Sequence, residues 1–175
     1  MSVAVHGYIP KRLKTMEPLA HYWISAAETG FVNSSDWIRW ADRHIEQMNN
    51  SLFWLTEMSV ATSVGELRNA LESRIPLELA IVPTEYRDAV LGYIYLRYLK
   101  GELGLATMLN EAGQWADSGS LGIECEQIYA LLNELERSGS VVLRHEAAVK
   151  SKLLFRPYVE MVKHQQRVIE NAQLI

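Results

Sequence analysis

The chain contains 175 residues and has a formal net charge of −4, with 17 basic and 21 acidic side chains. The length fits one domain, and the 49% of hydrophobic residues can form a core without disulfide or metal support. The acidic balance excludes an overall basic field that would attract nucleic acid or anionic lipid. The single cysteine, Cys125, excludes an internal disulfide framework and a multi-cysteine zinc site.

Neither a leader peptide nor a membrane span is predicted. Residues 1–14 lack an apolar run ahead of the basic cluster of Lys11, Arg12 and Lys14, so no signal peptide is readable. No run of about eighteen apolar residues occurs, so we expect no transmembrane helix. The sequence therefore predicts a cytoplasmic protein of the mainly α class, a single-domain bundle of about seven to eight helices over 1–175.

The first half of the chain shows the apolar period of helices. A first helix is predicted to begin near 17–18, where proline is tolerated at the first helical position, and to end at Gly30 in a left-handed conformation. The polar segment 33–36 supplies N-cap residues for a second helix that runs to about Met48.

Three further helices are predicted before residue 101. The domain could be divided into two parts at this point. The first is short and covers 52–58. The next begins at a capping box formed by Ser63 and Glu66 and continues to about Arg74. A longer helix covers 84–100, and a glycine follows it.

The remaining segment, 101–175, is predicted to contain helices at about 105–115 and 124–137, separated by the glycine-containing loop 117–122. The apolar, β-branched stretch at 141–143 favours a strand, and residues 152–155 could pair with it. A small β-hairpin near 141–155 is therefore one option. Pro157 would then stand at the start of a final helix.

The segment 128–142, IYALLNELERSGSVV, resembles the recognition helix and first wing strand of winged-helix domains, and residues 105–155 as a whole resemble such a domain. The chain could then be divided into a helical bundle over 1–100 and a winged-helix-like segment with a C-terminal helix over 101–175. The resemblance implies a transcriptional regulator or another nucleic-acid-associated protein. The outward face of that helix would carry Glu124, Glu126, Gln127, Asn133 and Glu134. Carboxylates oppose contact with phosphates, so nucleic acid ranks below protein as a partner. The basic side chains that could contact a nucleic-acid backbone are Arg144, Lys150, Lys152 and Arg156.

The segments 24–32, ISAAETGFV, and 36–42, DWIRWAD, resemble small helical bacterial proteins, including immunity proteins of polymorphic toxin systems. The resemblance implies a protein that neutralises a toxin by covering its active face. An acidic surface fits that role, because nuclease toxins have basic clefts. Whether Trp40 and Trp54 belong to the core or to an interface stays open. The candidate partner-binding residues are Asp36, Trp40, Asp42 and Glu46.

No short catalytic signature and no ligand set with metal-binding spacing is found, so we expect no cofactor and no metal. His21 and His44 lie on or beside apolar helical stripes, and Glu160 and His164 form a pair too small for a site. Cys125 is expected to be a buried structural thiol. Protein binding therefore ranks first, nucleic-acid regulation second and catalysis third. The heptad-like stripe of the last helix offers a further option, a homodimer.

Overall fold

A computed structural model describes residues 11–49, 52–72, 84–118, 122–137 and 141–170. These residues form an all-α bundle and contain no strand, as the apolar periodicity predicts. None of the described helices is both long enough and apolar enough to cross a membrane. The helices are α1 (Lys11–Glu28), α2 (Ser34–Glu46), α3 (Phe53–Val60), α4 (Val64–Glu72), α5 (Thr84–Leu99), α6 (Leu105–Asp117), α7 (Cys125–Arg137) and α8 (Val141–Glu170).

The ends of the early helices follow the predicted capping residues. The Asn33 backbone N–H donates to Asp36 Oδ2 at 2.8 Å, which closes a capping box at the start of α2. At the start of α4 the Ser63 N–H donates to Glu66 Oε2 at 3.2 Å, and the Glu66 N–H donates to Ser63 Oγ at 3.3 Å. Gly30 has a φ of 67°, the left-handed conformation expected after α1.

The buried residues of the described ranges form two clusters. The first, which we call the tryptophan cluster, lies mainly among α1–α4, with residues of α5 and α8, and includes Trp23, Trp37, Trp40, Trp54, Tyr22 and Tyr93. The second, the α6–α7 cluster, includes Leu91, Ile94, Met108, Leu109, Ile128 and Phe155. Helices α5 and α8 contribute buried residues to both clusters, so this helix pair joins the two halves of the core.

A glycine allows α5 and α8 to approach closely. A Cβ atom at Gly92 would lie 2.4 Å from the Tyr158 carbonyl oxygen and 2.4 Å from Val162 Cγ2. A similar close approach joins α6 to α7, where a Cβ atom at Gly113 would lie 2.6 Å from the Tyr129 ring. The first contact involves backbone and the second involves a side chain that can move. A larger residue is therefore tolerated less well at Gly92 than at Gly113.

Arg97 on α5 connects the end of α1 to α6. Its Nη1 donates to the Thr29 carbonyl oxygen at 2.7 Å and to Glu111 Oε2 at 3.1 Å, and its Nε lies 3.4 Å from Glu102 Oε2. A guanidinium beside the last carbonyls of α1 also opposes the negative end of the helix dipole. Arg97 therefore links the two halves of the bundle through hydrogen bonds and ion pairs.

The hairpin considered near 141–155 is not formed, because residues 141–170 are one helix, α8. The β-branched stretch at 141–143 is therefore the first turn of a helix. The buried residues Phe155 and Val159 pack this helix against the α6–α7 cluster. Tertiary packing of that kind outweighs the weak local preference for a strand.

Two prolines lie inside helices rather than at their first positions. Pro157 lies within the continuous helix α8. Pro18 lies within α1, because α1 begins several residues earlier, at Lys11. An interior proline costs one helical hydrogen bond, roughly 3 kcal/mol with the accompanying clash. In α8 the buried residues Phe155 and Val159 flank the proline on both sides, and their packing offsets this cost.

Candidate functional site

The outward face of α2 carries two of the predicted partner-binding residues. Ile38, Asp42 and Glu46 follow one another at four-residue intervals and therefore lie in one row along the helix. Arg39 and Arg43 form the neighbouring row. The four charged side chains are exposed, and none of them forms an ion pair within the described part of the chain.

A hollow of about 560 Å³ lies against this face, and we call it the α2 hollow. Two hydroxyls, one aliphatic side chain, two carboxylates and two guanidinium groups line it. This mixture suits the polar and charged side chains of a protein partner better than an apolar small molecule, whose sites are mostly hydrophobic. The described lining residues are Ser34, Ser35, Ile38, Arg39, Asp42, Arg43 and Glu46.

Asp36, another predicted partner-binding residue, already has a structural role. Its carboxylate accepts the Asn33 backbone N–H and so closes the cap of α2. It also lies near Tyr22 of α1, together with Glu170 of α8. Burial, with these two negative charges, raises the pKa of Tyr22 to about 12. Asp36 therefore serves the junction of three helices, and a partner would have to share it.

The sequence predicts Trp40 to be a partner-binding residue. In the structure it belongs to the core instead. It is only 9% exposed, and its ring centroid lies 5.6 Å from that of Trp23 and 6.3 Å from that of Trp54. The His44 ring packs on it at 4.1 Å, and His44 Nδ1 lies 2.8 Å from the Trp40 carbonyl oxygen. Trp54 is buried too, so both tryptophans left open by the sequence are core residues.

The four basic residues of the nucleic-acid alternative lie on α8 and do not share one face. At about 100° per residue, Lys152 and Arg156 are neighbours, Arg144 lies about 80° from Lys152, and Lys150 lies about 160° from it. Lys150 points to α7 instead, where its Nζ donates to Glu134 Oε2 at 2.7 Å. This ion pair raises the pKa of Lys150. The other three side chains are exposed.

The outward face of α7 is acidic, as its sequence predicts. All five polar residues assigned to that face are exposed, and three of them are glutamates. A row of carboxylates would repel nucleic-acid phosphates. These residues are Glu124, Glu126, Gln127, Asn133 and Glu134.

An exposed apolar row on α8 was not predicted. Val142, Val149 and Leu153 are 65%, 46% and 65% exposed, and their positions fall within about 40° around the helix axis. We call these three residues the α8 stripe. The spacing of seven and then four residues is the signal that could have revealed it, but the expectation of a strand at 141–143 obscured the helical period.

The side chains considered for chemistry are separated in the structure. Cys125 is half-buried, not fully buried as predicted, and its pKa is raised by partial desolvation and by Glu126 and Asp117. A reactive cysteine needs the opposite shift. Lys163 donates to Glu160 at 3.3 Å. No group of three or more metal-ligating side chains occurs within the described ranges.

The glycine-containing loop before α7 is attached to α5. The Gly122 N–H donates to Asp88 Oδ1 at 2.8 Å, and Asp88 is a buried carboxylate. A negative charge at this point would oppose a bound phosphate. The loop therefore connects α6 to α7, although residues 119–121 lie outside the described ranges.

Comparison with known proteins adds no relative to this picture. No protein-family profile, no curated protein and no solved structure matches the chain.

Proposed function

We propose that this chain is a non-enzymatic protein-binding protein that contacts its partner through the α2 hollow. An immunity protein that covers a basic surface of a toxin is the specific case we favour. The single observation behind the proposal is the group of four exposed charged side chains around one hollow, none paired with another described residue.

The arrangement of charges supports a macromolecular partner. Asp42 and Glu46 alternate with Arg39 and Arg43 along one helix, so a matching surface must present both signs in a fixed order. Such a pattern contributes mainly to specificity and to the association rate. The carboxylates Asp42 and Glu46 are the groups that a basic partner surface would contact, while Asp36 lies outside the hollow and caps α2.

The core beneath α2 supports the same proposal. Trp37 and Trp40 fix one side of the helix in the tryptophan cluster, and Trp37 Nε1 donates to the Ala61 carbonyl oxygen at 2.8 Å. The outward side chains therefore project from a rigid support. Pre-organisation of this kind lowers the entropy cost of binding.

Site-specific photo-cross-linking in the native cells tests the proposal. A photoreactive residue at position 42 should give one discrete cross-linked protein, because this position lies in the hollow. The matched control is the same residue at position 114, which is exposed on α6. The same set of products from both positions, or no product from position 42, would contradict the proposal.

Charge reversal then measures the contribution of the hollow. Asp42→Lys combined with Glu46→Lys should weaken binding of the cross-linked partner at least about tenfold. Asp36 is left unchanged in this variant, because reversing its charge would also remove the cap of α2.

A further inference from the structure

We propose that the outward face of α8 between residues 141 and 156 is a second docking surface, and that it binds an acidic amphipathic helix of a protein partner. The proposal rests on the α8 stripe and the charges beside it, and it is independent of the α2 hollow.

The stripe has the geometry of a helix–helix seam. Val149 and Leu153 lie one turn apart, and Val142 lies two turns before Val149. Their exposed fractions, 46% to 65%, leave aliphatic surface at seam positions in water. A partner helix with apolar residues at the same intervals would cover all three side chains.

The charges beside the stripe define the partner's sign. Lys152 and Arg156 lie on one flank, and both are exposed without an ion pair in the described part of the chain. Arg144 is also exposed, but it lies about 160° from Val142 around the helix axis and does not belong to this flank. The only acidic residue of the segment 141–156 is Glu146. Glutamate or aspartate residues along the partner helix would neutralise this flank.

A second copy of this chain fits the face less well. An antiparallel pair would place Lys152 and Arg156 against the same cations of the other copy. A parallel pair would place them against Glu146 and Lys150, of which Lys150 is already paired with Glu134.

A lipid surface also fits the face less well. Helices that lie in a membrane interface present large apolar residues such as tryptophan, phenylalanine and leucine. The α8 stripe presents two valines, Val142 and Val149, and one leucine, Leu153, and none of the three is aromatic.

The test uses two synthetic helical peptides labelled with fluorescein. Both carry leucine at intervals of four and seven residues, and they differ only in having glutamate or lysine beside the leucines. Fluorescence anisotropy with the full chain should show saturable binding of the glutamate peptide, weakened by salt. The lysine peptide should bind at least about tenfold more weakly.

Three variants locate the binding. Val149→Glu with Leu153→Glu, and separately Lys152→Glu with Arg156→Glu, should each weaken the glutamate peptide at least about tenfold. The second pair should also gain affinity for the lysine peptide, and a circular dichroism spectrum like that of the wild type should show that the fold is retained. The control is Val60→Glu, which alters a valine on α3 that is 70% exposed and should leave affinity unchanged.

Other outcomes overturn the proposal. Equal binding of both peptides, or no binding, would remove the charge argument. A dimer in sedimentation equilibrium that Leu153→Glu abolishes would assign the face to a second copy. Binding to phosphatidylcholine–phosphatidylglycerol vesicles that Leu153→Glu abolishes would assign it to lipid. The Asp42→Lys, Glu46→Lys variant should bind the peptide normally, which separates this result from the fate of the α2 hollow.

Discussion

The tryptophan cluster and the α6–α7 cluster share α5 and α8 but contain different side chains. In the first, aromatic rings meet at tilted or edge-on angles, as Tyr22 and Trp23 do at 5.0 Å and 74°. Two of its polar tips are anchored, because the Tyr93 hydroxyl donates to Gln165 Oε1 at 3.1 Å and Trp37 Nε1 donates to the Ala61 carbonyl oxygen at 2.8 Å. The indole N–H groups of Trp23 and Trp54 are buried without a hydrogen-bond partner in the described part of the chain. The second cluster is mostly aliphatic and has one stacked ring pair, Tyr95 and Phe155, at 5.2 Å.

This difference shows how one bundle combines a specific core with an adaptable one. Directional ring contacts and buried hydrogen bonds define one arrangement of neighbours. Aliphatic side chains contribute transfer free energy with fewer geometric demands. The α2 hollow lies over the specific core, so its charges are well positioned. We therefore expect substitutions in the tryptophan cluster to cost more than similar ones in the α6–α7 cluster.

The largest expected effect is the loss of Trp40. Trp40→Ala should lower the free energy of unfolding by about 4 kcal/mol, because it empties the centre of a row of three indoles. Leu109→Ala in the α6–α7 cluster is the comparison, and it should cost about 3 kcal/mol. Denaturant titrations followed by circular dichroism measure both. A larger loss for Leu109→Ala would reverse the proposed ranking of the two clusters.

The second largest loss of stability is expected at the joint between the two clusters, which is the close approach of α5 to α8 at Gly92. Gly92→Ala should cost about 3 kcal/mol, because its Cβ atom would meet the Tyr158 carbonyl oxygen at 2.4 Å. Gly113→Ala meets a ring that can move, and about 1 kcal/mol is expected. Tryptophan fluorescence and circular dichroism should give one midpoint for Gly92→Ala, since the joint serves both clusters. Two separate midpoints would mean that the clusters unfold independently.

The polar link between the halves should contribute less. Arg97→Gln removes the charged hydrogen bonds to Thr29 and Glu111, and we expect a loss of about 2 kcal/mol. The control is Lys163→Gln, because Lys163 pairs only locally, with Glu160 three residues away at 3.3 Å on an exposed face. That change should cost less than about 1 kcal/mol. Equal losses from the two variants in thermal unfolding would argue against a linking role for Arg97.

The smallest expected effect concerns alkaline pH and belongs to the tryptophan cluster. The pKa of Tyr22 is raised from 10.0 to about 12, so above pH 10 the unfolded chain loses a proton that the folded chain keeps. The stabilisation is complete below pH 10 and is lost as pH rises towards 12. By pH 11 the loss is about 1.4 kcal/mol. Urea titrations of the wild type and Tyr22→Phe should differ by this amount in their pH dependence; parallel curves would contradict the assignment.

Local signals were sufficient to predict most helix boundaries. Asn33 with Asp36 and Ser63 with Glu66 carry side chains that satisfy backbone groups within three residues, so their sequence alone defines α2 and α4. Gly30 marks the end of α1 for an equally local reason. Reliance on local signals also explains the error at 141–143. The β-branched run there favoured a strand, but the packing of Phe155, which is distant in sequence, stabilises a helix.

The surface was harder to predict than the fold. The apolar period is equally consistent with Trp40 in the core and with Trp40 in an interface. The three-dimensional structure distinguishes the two, because the rings of Trp23 and Trp54 pack on both sides of Trp40. The α2 hollow requires a three-dimensional surface, although its charges were visible in the sequence. The α8 stripe could have been found from spacing alone once residues 141–170 were treated as one helix.

The most direct test of the account compares affinity with stability in one variant. Asp42→Lys with Glu46→Lys changes two exposed side chains of the α2 hollow and leaves both core clusters intact. We predict at least about tenfold weaker binding of the partner cross-linked from position 42, with a free energy of unfolding within about 0.5 kcal/mol of the wild type. Unchanged affinity in a folded variant would contradict the central claim that this surface binds a protein.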